Sequence, residues 1–181
     1  MVGAVSDEAA GVPAASGPYR FDGPVAVIQD PEFLGTWIED EEFVERLVRA
    51  ADPEDAARKR VAVEFQRAMA RMVAGGRVAE TIDGLLVEFL SDDYLQHDAL
   101  LSNGREPLAS FFKSAAAAGI DLWPPMPVCV MAEGDVVSLL LRGETPDGSE
   151  RFIPTMFRVV DGRMTEHWSA APPPPLDPPA A

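Results

Sequence analysis

One cysteine and two histidines are all that this chain of 181 residues holds of those types. The single Cys129 has no partner for an internal disulfide, so the fold does not depend on an oxidising compartment. It lies in the apolar run "PVCVMAEGDVV", which reads as a strand. With no base near it in sequence, its thiol reads as buried and inert. Two histidines and one cysteine form no cluster at metal-ligand spacing, and neither metal nor cofactor is expected. Basic residues are scarce as well: 15 Lys and Arg stand against 30 Asp and Glu, for a formal charge of −15. That field repels nucleic-acid backbones and anionic lipid, and no basic stripe with interleaved aromatics offsets it. No apolar run approaches the roughly 20 residues that span a bilayer. The first residues lack the basic and apolar regions of a secretory signal, so a soluble cytoplasmic protein is expected. No Gly-x-Gly-x-x-Gly or Walker pattern supports nucleotide binding.

What is present suffices for a core. Hydrophobic residues make up 47% of the chain and the mean hydropathy is −0.01. Residues 1–18 are poor in anything to bury and read as a flexible tail. Residues 172–181 are Pro-rich and read as extended polyproline II. Between the tails the period changes once. Helical spacing marks "DEEFVERLVRA", with Phe43, Val44, Leu47 and Val48 on one face. It also marks "DPEDAARKRVAVEFQRAMARMVAGG", with Asp52 as N-cap, Pro53 at the first helical position and Gly75-Gly76 as a stop. Its apolar stripe is Val61, Phe65, Ala68, Met69 and Met72. Further helices are expected over about Val78 to Leu90, and from Arg105 to Gly119 with Leu108, Phe111 and Phe112 buried. From Trp123 onward the period is two. Turns at Glu133-Gly134-Asp135, Pro146-Asp147-Gly148 and Asp161-Gly162 divide four strands of an antiparallel meander. Helices followed by a meander make an α+β fold.

Three segments then carry a family likeness. "FLSDDYLQHDALLSNGREPLASFF", "AEGDVVSLLLRG" and "FRVVDGRMTEHW", with only a tail beyond, resemble the SnoaL-like polyketide cyclases of the nuclear transport factor 2-like superfamily. The likeness runs over about residues 58 to 170. It implies a conical α+β barrel, in which a strongly curved antiparallel sheet wraps around N-terminal helices and encloses an apolar cavity. Residues 56–171 would form that domain, and residues 19–55 an extension packed on the cone as a lid or dimer clasp. Tyr19, Phe21, Phe33, Trp37 and Phe43 make that extension too aromatic for a linker.

The family's catalytic logic is cofactor-free acid-base chemistry on a largely apolar, polyketide-like substrate, in a homodimer formed through the sheet. The resemblance places a catalytic aspartate where this chain has Thr155, and another where it has Ser169. A threonine hydroxyl donates and accepts hydrogen bonds but is no base near neutral pH. His97, Thr155 and His167 are therefore the candidate catalytic residues. Tyr94, Phe112, Trp123, Ile153, Phe157 and Trp168 are the candidate substrate contacts. Unbroken alternation sets His167 on one face with Thr165 and Ser169, and Glu166 on the other with Met164 and Trp168. The sequence leaves open which set faces inward, and equally whether His97 does chemistry or fixes a corner of the fold. Two functions follow: a cyclase or isomerase working by acid-base or shape-driven, even pericyclic, ring closure, or a non-catalytic ligand-binding or dimerisation module.

Overall fold

The computed structural model describes residues 17–98, 101–120, 122, 125–144 and 148–169. Trp123, the Pro-rich tail and all but the end of the first tail lie outside them. Two short strands, β1 (Tyr19–Asp22) and β2 (Val25–Ile28), open the chain as a hairpin turning at Gly23, whose φ of 58° suits glycine. A one-turn helix α1 (Phe33–Thr36) and a 3₁₀ turn (Trp37–Glu39) follow. Helix α2 (Glu41–Val48) starts where Asp40 Oδ1 accepts the Phe43 amide at 2.9 Å. Helix α3 (Pro53–Ala74) starts where Asp52 Oδ1 accepts the Glu54 amide at 2.7 Å, with proline in the first turn as expected. These caps satisfy amides that the helix itself leaves free.

Around α3 the core is wider than the predicted stripe. Ala62, Val63, Phe65, Met69, Ala70 and Met72 are buried, while Val61 and Ala68 are only half-buried. The helix is covered by α2 on one side, α4 (Val78–Phe89) on another and the sheet on a third. Helix α5 (Arg105–Ala117) buries Leu108, Ala109 and Ala115; Phe111 and Phe112 are half-buried, with Phe112 against the core.

The sheet has seven strands in the order β1-β2-β4-β5-β6-β7-β3. Strands β4 (Met126–Glu133), β5 (Val136–Glu144), β6 (Glu150–Val160) and β7 (Arg163–Ser169) are the expected meander. Asp161 and Gly162 both take positive φ, 49° and 75°, which fits the tight β6–β7 hairpin. Register breaks between Pro127 and Cys129 and between Arg158 and Val159 are bulges, which bend a sheet. Cys129 is buried in β4 and burial pushes its thiol pKa up, as the sequence suggests for an inert thiol.

Strand β3 (Leu90–Gln96) differs from expectation. The helix expected over about Val78 to Leu90 forms, but no strand is expected after it; the chain leaves α4 directly as a strand and pairs parallel to β7. The sheet is therefore mixed, with one parallel pair at its edge. The "SNGRE" segment covers that edge. Asn103 Oδ1 accepts the Gln96 amide at 2.9 Å, and the Gly104 amide donates to Tyr94 O at 2.9 Å. Arg105 donates to Ser91 O at 3.1 Å and to Leu90 O at 2.8 Å, and pairs with Asp92. Backbone groups of an edge strand left bare would invite another strand.

Candidate functional site

Strands β6 and β7 and the end of β3 bring the polar residues of interest together. On β6, alternation turns Ile153, Thr155 and Phe157 to the helices and leaves Met156 exposed. Phe157 meets Phe65 of α3 with ring centroids 6.0 Å apart, which fixes this as the inner face. On β7 the alternation breaks. Arg158 pairs with Glu166 but the next residue, Val159, pairs with Met164, so Thr165 is an extra residue. Met164 and His167 consequently both face inward, although uninterrupted period two sets Met164 with Glu166 and Trp168. The bulge is what chooses the face of β7: His167 looks in, and Glu166 and Trp168 look out.

His167 then joins three strands. Its Nε2 lies 2.7 Å from Thr155 Oγ1 and its Nδ1 lies 3.0 Å from Gln96 Oε1. The ring stacks on Phe157, centroids 4.7 Å apart at 14°. Thr155 is 4% exposed and Gln96 8%. Burial is the main cause that lowers the His167 pKa to about 4; Asp98 opposes that shift and His97 adds to it. The ring is thus neutral near pH 7, with one nitrogen protonated.

The Asp98 amide identifies which. It donates to Gln96 Oε1 at 3.2 Å, so the amide oxygen of Gln96, not its NH₂ group, points toward His167. Nδ1 must then carry the hydrogen and donate to Gln96. Nε2 is the acceptor and takes the hydrogen of the Thr155 hydroxyl. In that state the Trp168 carbonyl, 3.2 Å from Thr155 Oγ1, receives no hydrogen from it. If Nε2 takes up a proton, the ring donates to Thr155 and Thr155 turns its hydrogen to Trp168 O. With one added proton all of these groups are matched within the network, as buried polar groups require.

Tyr94 stands two residues before Gln96 and is also inward, 2% exposed, its pKa raised by burial. His97 does not join them. The structure places the two histidines on opposite faces: the His97 side chain is 42% exposed. Its ring stacks on Trp168, centroids 4.8 Å apart at 3°, and its Nε2 lies 3.2 Å from Glu166 Oε2. Glu166 Oε1 accepts from Arg158 at 3.1 Å, and Arg158 also pairs with Asp135 at 2.7 Å. Trp168, likewise expected at the substrate, belongs to this outer cluster. Gln96 is the inner residue that sequence reasoning overlooks. "YLQH" shows it, since period two joins Tyr94 to Gln96 whereas Tyr-x-x-His spacing joins Tyr94 to His97. Among the described residues, no group of three or more His, Cys, Asp or Glu side chains is arranged to hold a metal ion, and no helix is long and apolar enough to cross a membrane.

No family model matches the sequence, and no curated protein matches it. Solved structures of similar fold include a candidate polyketide cyclase from Bacillus cereus ATCC 10987, with 19% identity and a TM-score of 0.45 over 66% of this chain and 77% of that one. A candidate SnoaL-like polyketide cyclase from Mesorhizobium loti shows 18% identity and a TM-score of 0.40 over 61% of this chain and 98% of that one. A nuclear transport factor 2-like protein of unknown function from Cytophaga hutchinsonii ATCC 33406 shows 11% identity and a TM-score of 0.45, over 62% and 88%. The likeness is one of fold, helices packed on a single open sheet.

Proposed function

We propose that the inner face binds a small, largely apolar molecule carrying a carbonyl, and that Thr155 and His167 take a proton from the carbon beside it. The buried chain Gln96–His167–Thr155 is the observation that supports this. A substrate proton passes to Thr155 Oγ1 as the threonine's own hydrogen passes to His167 Nε2. The C–H bond breaks, the enolate forms, and the imidazolium left behind is the fully matched state of the network. Enolate formation is the step that an isomerisation or an aldol-type ring closure needs, and no cofactor enters it. Gln96 holds the tautomer and is a positioning residue. Tyr94, Ile153, Phe157 and Phe112 supply wall and orientation, while His97 and Trp168 touch no substrate. The outer face, where Met131, Phe152 and Met156 stand exposed, is the surface proposed for a homodimer in the cytoplasm, and a monomeric mass by light scattering would exclude it.

Anthrone, a flat aromatic ketone with an acidic methylene, tests the chemistry. The protein should accelerate exchange of the methylene hydrogens with deuterium oxide, followed by proton NMR. Thr155→Val and His167→Gln should each lose about 10²-fold or more, the usual contribution of one acid-base group, while His97→Ala should keep the full rate. Because the His167 pKa lies near 4, the rate should be flat above about pH 5. Binding without exchange would favour the ligand-binding module. Loss of exchange in His97→Ala alone would remove the assignment.

A further inference from the structure

Three strands away from His167, at β4, the structure holds a cationic cavity. Most described cations of this acidic chain are paired with carboxylates: Arg58 with Glu54 at 2.8 Å, Arg60 with Glu45 at 2.8 Å, Arg71 with Glu39 at 3.3 Å and Arg158 with Asp135 at 2.7 Å. Arg46, Arg49 and Lys59 form no such pair among the described residues, and all three line one cavity of about 190 Å³. Phe21, Leu47 and Val130 give it apolar walls beside the turn of the opening hairpin. Arg46 lies over the Phe21 ring, 4.3 Å from its centroid, which sets its guanidinium beside the opening hairpin. Lys59 is only 7% exposed, and its Nζ donates to Arg49 O at 2.8 Å. An ammonium has three N–H groups, and this carbonyl is the acceptor it has among the described residues.

A buried ammonium is costly unless a counter-charge or a full set of acceptors meets it. The nearby acids do not supply one. Cys129 and Asp55 both act on Lys59 through space, but burial pushes the Cys129 thiol pKa up, which keeps it uncharged, and the Asp55 carboxylate is bonded to Arg58 at 3.4 Å. Asp40 and Glu42 act on Tyr19, as Arg46 does, and neither acts on Lys59; Asp40 also caps α2. The volume equals that of about six liquid waters, at roughly 30 Å³ each, room for an oxyanion with a short apolar stem.

We propose that this cavity is a binding site for a small oxyanion, a carboxylate or a phosphate, held by Lys59 from below and by Arg46 and Arg49 at its rim. Guanidinium groups bind both oxyanions in a bidentate manner, and the apolar walls suit a carboxylate that carries a short hydrocarbon. The proposal is independent of the chemistry assigned to His167.

The full chain is titrated with sodium phosphate and, separately, with sodium benzoate, at constant ionic strength balanced by chloride, and its melting temperature is followed. At least one of the two should raise the melting temperature saturably, and which one does so identifies the anion. Arg49→Gln, at an exposed position, should weaken binding about tenfold or more, equivalent to about 1.4 kcal/mol, and Lys59→Met should remove it. Should Lys59→Met fail to fold, Arg49→Gln and Arg46→Gln carry the test. Arg77→Gln, an arginine outside the cavity, should respond as the unaltered protein does. The proposal fails if neither anion gives saturable stabilisation, or if every variant responds alike, as screening of the overall negative charge would produce.

Discussion

Phe43→Ala is expected to lower the unfolding free energy by about 3–5 kcal/mol, the cost typical of a large aromatic removed from a core that cannot close over the gap. Phe43 is 0% exposed. Its ring lies 4.9 Å from Tyr19, 5.8 Å from Phe21, 5.1 Å from Phe33 and 6.3 Å from Trp37, centroid to centroid. Four aromatic neighbours drawn from β1, α1 and the 3₁₀ turn meet on this one side chain, and none can swing far enough to refill the space. Arg46 stacks on Phe21 from outside and holds that ring in place. Urea unfolding followed by tryptophan fluorescence measures the loss. A change below about 1 kcal/mol, typical of surface positions, would mean that residues 19–48 pack only loosely on the rest.

The second large effect is on pH dependence. His167 has an ordinary value of 6.5 when unfolded and about 4 when folded. Below pH 6.5 the unfolded chain takes up a proton that the folded site refuses, so stability present above pH 6.5 is lost as pH falls toward 4. The full difference, at about 1.4 kcal/mol per unit, is about 3 kcal/mol. His167→Gln has no titrating ring, while its amide can still meet Thr155 and Gln96. Its stability should therefore fall much less than that of the unaltered protein between pH 6.5 and 5, a window above the range where most carboxylates titrate. Equal slopes for the two proteins would show that His167 titrates normally and is not in a desolvated site.

Much of the scaffold is legible in the sequence because local chemistry determines it. Asp52 caps a helix, Pro53 starts it, and Asp161-Gly162 turns a hairpin; each works through its own few residues. The misread parts depend on distant partners. Strand β3 goes unread because it follows an apolar helix without a break and carries polar residues, Asp92 and Asp93, at its exposed middle. Only pairing with β7, some seventy residues later, makes it a strand. The bulge at Thr165 has no local signature either, yet it decides that His167 rather than Glu166 faces the core. The opening hairpin was within reach: "YRFDGPVAVI" alternates on both sides of an Asp-Gly turn. Two histidines in similar aromatic surroundings suggest one pocket, but each has its own ring partner, Trp168 outside and Phe157 inside.

The central claim is that His167 is the neutral, Nδ1-protonated histidine of an inner ligand site, while His97 stands outside it. Nitrogen-15 NMR of the two imidazoles, recorded between pH 5 and 8 with and without anthrone, tests it most directly. The account predicts one ring fixed in the Nδ1–H tautomer throughout, absent from spectra of His167→Gln, whose Nε2 signal moves when anthrone is added; the other ring should not respond to anthrone. A His167 ring that titrates near pH 6.5 or carries its hydrogen on Nε2, or an anthrone response confined to His97, would contradict it.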